Sequence, residues 1–125
     1  MEVKRVLVVD DEVAFTNLVK LNLEKTGRFT VRAVNDPATA LAVMREFKPD
    51  IALFDVIMPD KDGGQVLAEL RAAEFAALPV IFVTATMTQR GLQQRDDKIN
   101  GVPFIAKPVE LKKLIKRIEE VLEDS

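Results

Sequence analysis

Three stretches of the chain are apolar without interruption: Val6-Leu7-Val8-Val9, Ile51-Ala52-Leu53-Phe54 and Val80-Ile81-Phe82-Val83. Each is about one strand long, and none alternates with polar residues. Such runs predict strands buried on both faces, as in a parallel sheet covered by helices. Thr30-Val31-Arg32-Ala33-Val34 does alternate, which predicts a strand with one wetter side at a sheet edge. Val102-Pro103-Phe104-Ile105-Ala106 is brief. Its proline cannot donate to a ladder, so it too argues for an edge.

Helical spacing fills the intervals. After Asp10-Asp11-Glu12 a helix is predicted to about Lys25, with Ala14, Leu18 and Leu21 on one face and Gly27 as its stop. Asp36-Pro37 reads as an N-cap followed by proline in the first turn, opening a helix anchored by Leu41, Met44 and Phe47. A third helix follows Gly63-Gly64 and carries Val66, Leu67 and Leu70. Between Ala85 and Gly101 anchors are few and Gly91 interrupts them, so a short, weakly held fourth helix is expected, mobile in the unmodified protein. Lys107-Pro108 opens the last helix, whose apolar stripe is Leu111, Leu114, Ile115, Ile118, Val121 and Leu122. Lys112, Lys113, Lys116, Arg117, Glu119 and Glu120 form its solvated side.

Five strands alternating with five helices predict an α/β fold with a five-stranded parallel sheet and helices on both faces. The continuous runs belong inside the sheet, and the alternating and proline-bearing strands belong at its edges. That sorting favours order 2-1-3-4-5, a known order of doubly wound, flavodoxin-like sheets. At 125 residues the chain is expected to be a single domain, 1–125.

Composition then narrows the chemistry. The net charge of -2 offers no basic field for nucleic acid. There is no apolar run of membrane-spanning length and no secretory leader, and the chain has no cysteine, so a cytoplasmic location away from membranes is expected. There is also no histidine. A histidine triad, a histidine-bearing zinc site and an internal phosphohistidine are therefore excluded within this chain. Any histidine chemistry has to come from a partner.

The residues that end the apolar strands carry the functional signal. Strand one ends in Asp10 and Asp11, strand three in Asp55, strand four in Thr84 and strand five in Lys107. In a parallel sheet all these ends lie on one side, where open α/β sheets place their chemistry. Two carboxylates ~5 Å apart repel by roughly 3 kcal/mol at an effective dielectric of ~20. Lys107 offsets part of that. A divalent cation does so better, and oxygen-only ligands favour magnesium or manganese over zinc. Singly, Asp10 or Asp11 reads as a helix cap, Thr84 as a strand-end residue and Lys107 as an edge lysine. Together they make a constellation.

With Met58-Pro59, Asp62-Gly63, Thr84-Ala85 and Lys107-Pro108 at these spacings, the whole chain resembles the receiver domain of bacterial two-component response regulators. The resemblance implies that Asp55 accepts a phosphoryl group from a sensor histidine kinase or phosphotransfer protein. It implies Mg²⁺ on Asp11, Asp55 and the Ile57 backbone carbonyl, with Asp10 reaching it through water. It implies that Lys107 pairs with one phosphoryl oxygen and Thr84 hydrogen-bonds another, with Ala85 leaving room and the Lys107-Pro108 bond cis. Met58 and Pro59 shape the loop, and Asp60 and Asp62 read as turn and cap residues. The output is then conformational. Thr84 and Phe104 act as the switch pair, and the surface of the fourth helix, fifth strand and fifth helix changes for a downstream protein or output domain. Homodimerisation through that face is left open. No separate substrate turns over, so the chain is not an enzyme in the usual sense. Neither Ile57 nor Thr86 offers a strong base for hydrolytic water, so a long-lived acyl phosphate is expected.

Three other readings compete. A haloacid-dehalogenase-like phosphatase would place its nucleophile at the end of strand one, as Asp-x-Asp with a small-residue turn. Asp10-Asp11-Glu12-Val13 lacks that turn. A flavodoxin-like cofactor binder would need a Ser/Thr/Gly-rich phosphate loop after strand one, which is missing. A receiver scaffold used only for binding, without phosphorylation, is at odds with the intact acid set.

Overall fold

The computed structural model describes residues 3–55, 63–84, 98–99, 102–107 and 109–123, with 63–64, 84 and 98–99 described by backbone alone. The strands are β1 (Lys4–Val9), β2 (Phe29–Val34), β3 (Ile51–Asp55), β4 (Val80–Thr84), β5 (Lys98–Ile99) and β6 (Val102–Ala106). The helices are α1 (Val13–Lys25), α2 (Ala40–Phe47, entered through a 3₁₀ turn at Pro37–Thr39), α3 (Gly63–Ala72) and α4 (Leu111–Glu123). The expected helix within 85–101 falls outside the described residues.

Five strands pair in parallel in the order β2-β1-β3-β4-β6, the predicted 2-1-3-4-5 arrangement. The strand predicted at the far edge, β6, is not the outermost. The two-residue β5 pairs antiparallel along its outer side, Lys98 opposite Pro103 and Ile99 opposite Val102. Nothing in the weakly patterned 85–101 stretch announced that strand.

The unbroken runs are explained by burial on both faces. Val6 and Val8 of β1 point into one core with Leu53, Ile81, Val19 and Leu23 of α1, and Leu114 and Ile118 of α4. Leu7 and Val9 point into the other with Phe54, Phe82, Met44 of α2, and Val66 and Leu70 of α3. Each fully buried side chain of this size is worth about 1.5–3 kcal/mol of transfer free energy. Among the described residues no helix is long and apolar enough to cross a membrane.

Helix α1 corrects the expected face. Ala14, Leu18 and Leu21 lie outward, with Leu18 50% and Leu21 62% exposed. The buried stripe is Thr16, Val19 and Leu23. Thr16 can take a core position because its hydroxyl is satisfied: it donates to the Val13 carbonyl at 3.1 Å and accepts from Asn35 Nδ2 at 2.9 Å. A face drawn through Ala14, Leu18 and Leu21 leaves Thr16 out and so turns the helix by the wrong angle. The stop is as expected: Gly27 takes φ +77°, and its N–H donates to the Glu24 carbonyl at 3.0 Å.

The same helix closes the β2 edge. Glu24 Oε2 accepts the Val31 N–H at 3.0 Å, while Lys20 Nζ donates to the Val31 carbonyl at 2.9 Å and to Glu24 at 3.0 Å. Both backbone groups of Val31 are thereby taken by one ion pair. Edge strands that leave such groups free invite pairing with other chains.

Candidate functional site

Strands β1 and β3 run side by side, Val9 opposite Phe54. Their carboxyl ends therefore deliver Asp10 and Asp55 to the same crevice. Asp10 is held from every side. Its N–H donates to the Val34 carbonyl at 3.0 Å, and its own carbonyl accepts from Asn35 Nδ2 at 2.9 Å. Its Oδ1 accepts the Glu12 N–H at 2.8 Å, so Asp10, rather than the N-cap residue Glu12, satisfies the start of α1. Asp10 and Asp55 are 1% and 7% exposed, while Asp11 is exposed.

Lys107 arrives from the end of β6. Its Nζ lies 2.8 Å from Asp10 Oδ2, 2.7 Å from Glu12 Oε1 and 3.6 Å from Asp55 Oδ2. The ammonium also stands 4.4 Å from the centre of the Phe15 ring, within the range of a cation–π contact. Burial on its own would lower the lysine pKa. The hydrogen bonds to Asp10 and Glu12, with the charges of Asp10 and Asp55, outweigh it and hold Lys107 well above the ordinary lysine range. The cation is therefore permanent across physiological pH.

Three carboxylates, of Asp10, Glu12 and Asp55, thus face one ammonium, and Asp11 adds a fourth acid to the cluster, which keeps a negative excess among the described residues. One oxygen each from Asp10, Asp11 and Asp55 falls within 4.8 Å of the others. Three hard oxygen donors at this separation could hold a metal ion, and they match a hard divalent cation better than a thiophilic one.

Of the residues singled out from sequence, Asp10, Asp11, Asp55 and Lys107 converge as expected. Thr84 ends β4, its backbone opposite Ala106 of β6, and its hydroxyl lies outside what the structure describes. Phe104 lies on β6 opposite Phe82, half-buried against the α2–α3 core. Ile57, Met58, Pro59, Asp60, Asp62, Ala85, Thr86 and Pro108, with the roles expected of them, lie outside the described residues. Sequence reasoning missed Glu12 and Phe15 as partners of Lys107. Glu12 was visible only as a third acid in a row, and Phe15 as one apolar residue of a helix whose facing was misjudged.

A doubly wound parallel sheet with acids and a lysine at its carboxyl edge defines the class. Residues 6–119 match the family model of the response regulator receiver domain, and the chain belongs to that family. It is 36% identical to protein PilH of Pseudomonas aeruginosa, over 94% of this chain and 97% of that protein. It is 32% identical to the transcriptional regulatory protein TrcR of Mycobacterium tuberculosis, over 97% of this chain and 46% of TrcR. Against RpaA of Synechocystis, a DNA-binding dual master transcriptional regulator, the figures are 32%, 94% and 48%. The chain therefore spans about half the length of TrcR and RpaA. A CheY-like receiver domain protein from Methanospirillum hungatei superposes with a TM-score of 0.82 at 27% identity, covering 98% of this chain and 96% of that one.

Proposed function

We propose that this chain is a phosphorylation-operated signalling switch, a single receiver domain over 1–125, with Asp55 as the phosphoacceptor. The observation that supports it most directly is the meeting of Asp10, Asp11, Asp55 and Lys107 in one crevice, with one oxygen of each aspartate within 4.8 Å. A carboxylate oxygen of Asp55 attacks phosphorus, the donor's phosphorus–nitrogen bond breaks, and the imidazole leaves with the electron pair and takes up a proton. The chain has no histidine, so the phosphohistidine belongs to a sensor kinase or phosphotransfer protein.

The transfer is chiefly positioning and charge neutralisation. Asp10, Asp11, Asp55 and the Ile57 carbonyl are the proposed holders of Mg²⁺, which when bound neutralises charge on the phosphoryl oxygens. Lys107 pairs with one phosphoryl oxygen and the Thr84 hydroxyl donates to another. Phe104 repacks on modification, and the surface of β6 and α4 passes the change to a downstream protein or output domain. The chain turns over no separate substrate, needs neither nucleic acid nor membrane for this step, and works in the cytoplasm.

Incubation with Mg²⁺ and acetyl phosphate, followed by mapping of the modified residue, tests this reading. Label on Asp55, lost in Asp55→Ala, is the expected result. Label on Asp10, or undiminished labelling of Asp55→Ala, would return the site to the phosphatase reading.

A further inference from the structure

Glu12 occupies an odd position. It is the N-cap residue of α1, yet its side chain makes no cap hydrogen bond. Its side chain is 61% exposed, and it reaches across to Lys107 at 2.7 Å, as close as Asp10 at 2.8 Å and well inside Asp55 at 3.6 Å. The Phe15 ring lies beside the same ammonium at 4.4 Å. Lys107 is thus drawn toward the α1 side of the crevice, and its shortest contacts are not to the acceptor.

We propose that Glu12 is a positioning residue: with Phe15 as platform, it clasps Lys107 in the unmodified protein, and this contact is exchanged for a phosphoryl oxygen when Asp55 is modified. The proposal rests on the reading of Asp55 as acceptor. A contact present in only one of two states biases the equilibrium against the other. Glu12 therefore disfavours the modified state, and removing its charge releases Lys107. Since one partner of the pair is largely in water, the bias is modest, about fivefold.

The probe is beryllium trifluoride with Mg²⁺, a stable mimic of the phosphoryl group, titrated into wild type, Glu12→Gln, Lys107→Met and the double variant. Glu12→Gln is expected to tighten binding about fivefold, and the gain is expected to vanish when Lys107 is methionine. A gain of equal size without the lysine would mean that Glu12 acts through bulk charge alone, and would overturn the clasp. No gain at all would do the same. Should Lys107→Met fold poorly or bind too weakly, proton and nitrogen spectra of the metal-free, unmodified protein decide. Glu12→Gln then has to shift the Lys107 ammonium and the Phe15 ring resonances, and unchanged resonances overturn the proposal. If wild type binds the mimic, a failed cycle removes only the clasp. If wild type binds none, and acetyl phosphate does not label Asp55, the acceptor reading fails and takes the clasp with it.

Discussion

Two lysines of this protein hold acids in opposite ways. Lys20, on α1, pairs with Glu24 at 3.0 Å in a place where their side chains are 45% and 36% exposed. Lys107 meets Asp10 at 2.8 Å where the side chains are 10% and 1% exposed. The chemistry is the same, and the surroundings differ. At the β2 edge each charge also serves a backbone group of Val31, so the pair completes a sheet margin and water screens whatever charge remains. In the crevice Asp10, Asp11, Asp55 and Glu12 outnumber one ammonium, and little water reaches Asp10. That imbalance is a poor way to gain stability and a good way to bind an incoming cation or anion.

Removing the cation from each place should separate the two most sharply. Lys107→Met leaves a buried Asp10 without its counter-charge, and unfolding free energy without divalent cation is expected to fall by about 3 kcal/mol. Urea titration at pH 7 checks this, and added Mg²⁺ should recover more in the variant than in wild type. A loss no larger than that of an exposed pair would erase the contrast.

Glu24 gives a smaller effect with a definite pH signature. The Val31 N–H, then Lys20, hold its carboxyl below the ordinary 4.5, against an opposing push from burial. A depressed folded-state pKa adds stability above the unfolded value and loses it as pH falls through the folded one. Glu24→Gln is therefore expected to cost about 1 kcal/mol at pH 7, after discounting for its exposure. The gap should close below about pH 4, as the carboxyl protonates in both states. Denaturant midpoints at pH 7, 5 and 3 measure it, and a gap that widens in acid would contradict the assignment.

The smallest change is expected for Lys20→Met, a few tenths of a kcal/mol. Salt is the discriminating variable. In 1 M NaCl, where screening sets in over about 3 Å, the Lys20 effect should disappear while that of Lys107 persists. Equal salt sensitivity would mean that the crevice is wetter than its burial implies.

Much of the architecture was legible from pattern alone. Val6 to Val9, Ile51 to Phe54 and Val80 to Val83 are buried on both faces, which is what an unbroken apolar run requires. Asp10, Asp11, Asp55 and Lys107 were legible because a parallel sheet sends every strand's carboxyl end to one side. The facing of α1 was not. Leu18 and Leu21 looked like core, and Thr16 did not, because periodicity counts apolar residues and cannot see that Asn35, from beyond β2, satisfies a buried hydroxyl. Strand β5 was equally hidden, since two residues are too few to carry a period.

The amino-acid order by itself determined the order of the five parallel strands, the two-sided burial of the central ones and the side of the sheet that carries the acids, because these follow from local periodicity and the handedness of the crossovers. Only the tertiary structure decided which acid takes the lysine. Glu12, Asp10 and Asp55 are 95, 97 and 52 residues away from Lys107 in the chain, and no spacing rule ranks them. The choice falls to ångström differences in how α1 leaves β1 and how β6 ends. Charge interactions vary steeply with distance and burial, so that ranking exists only once the chain is folded.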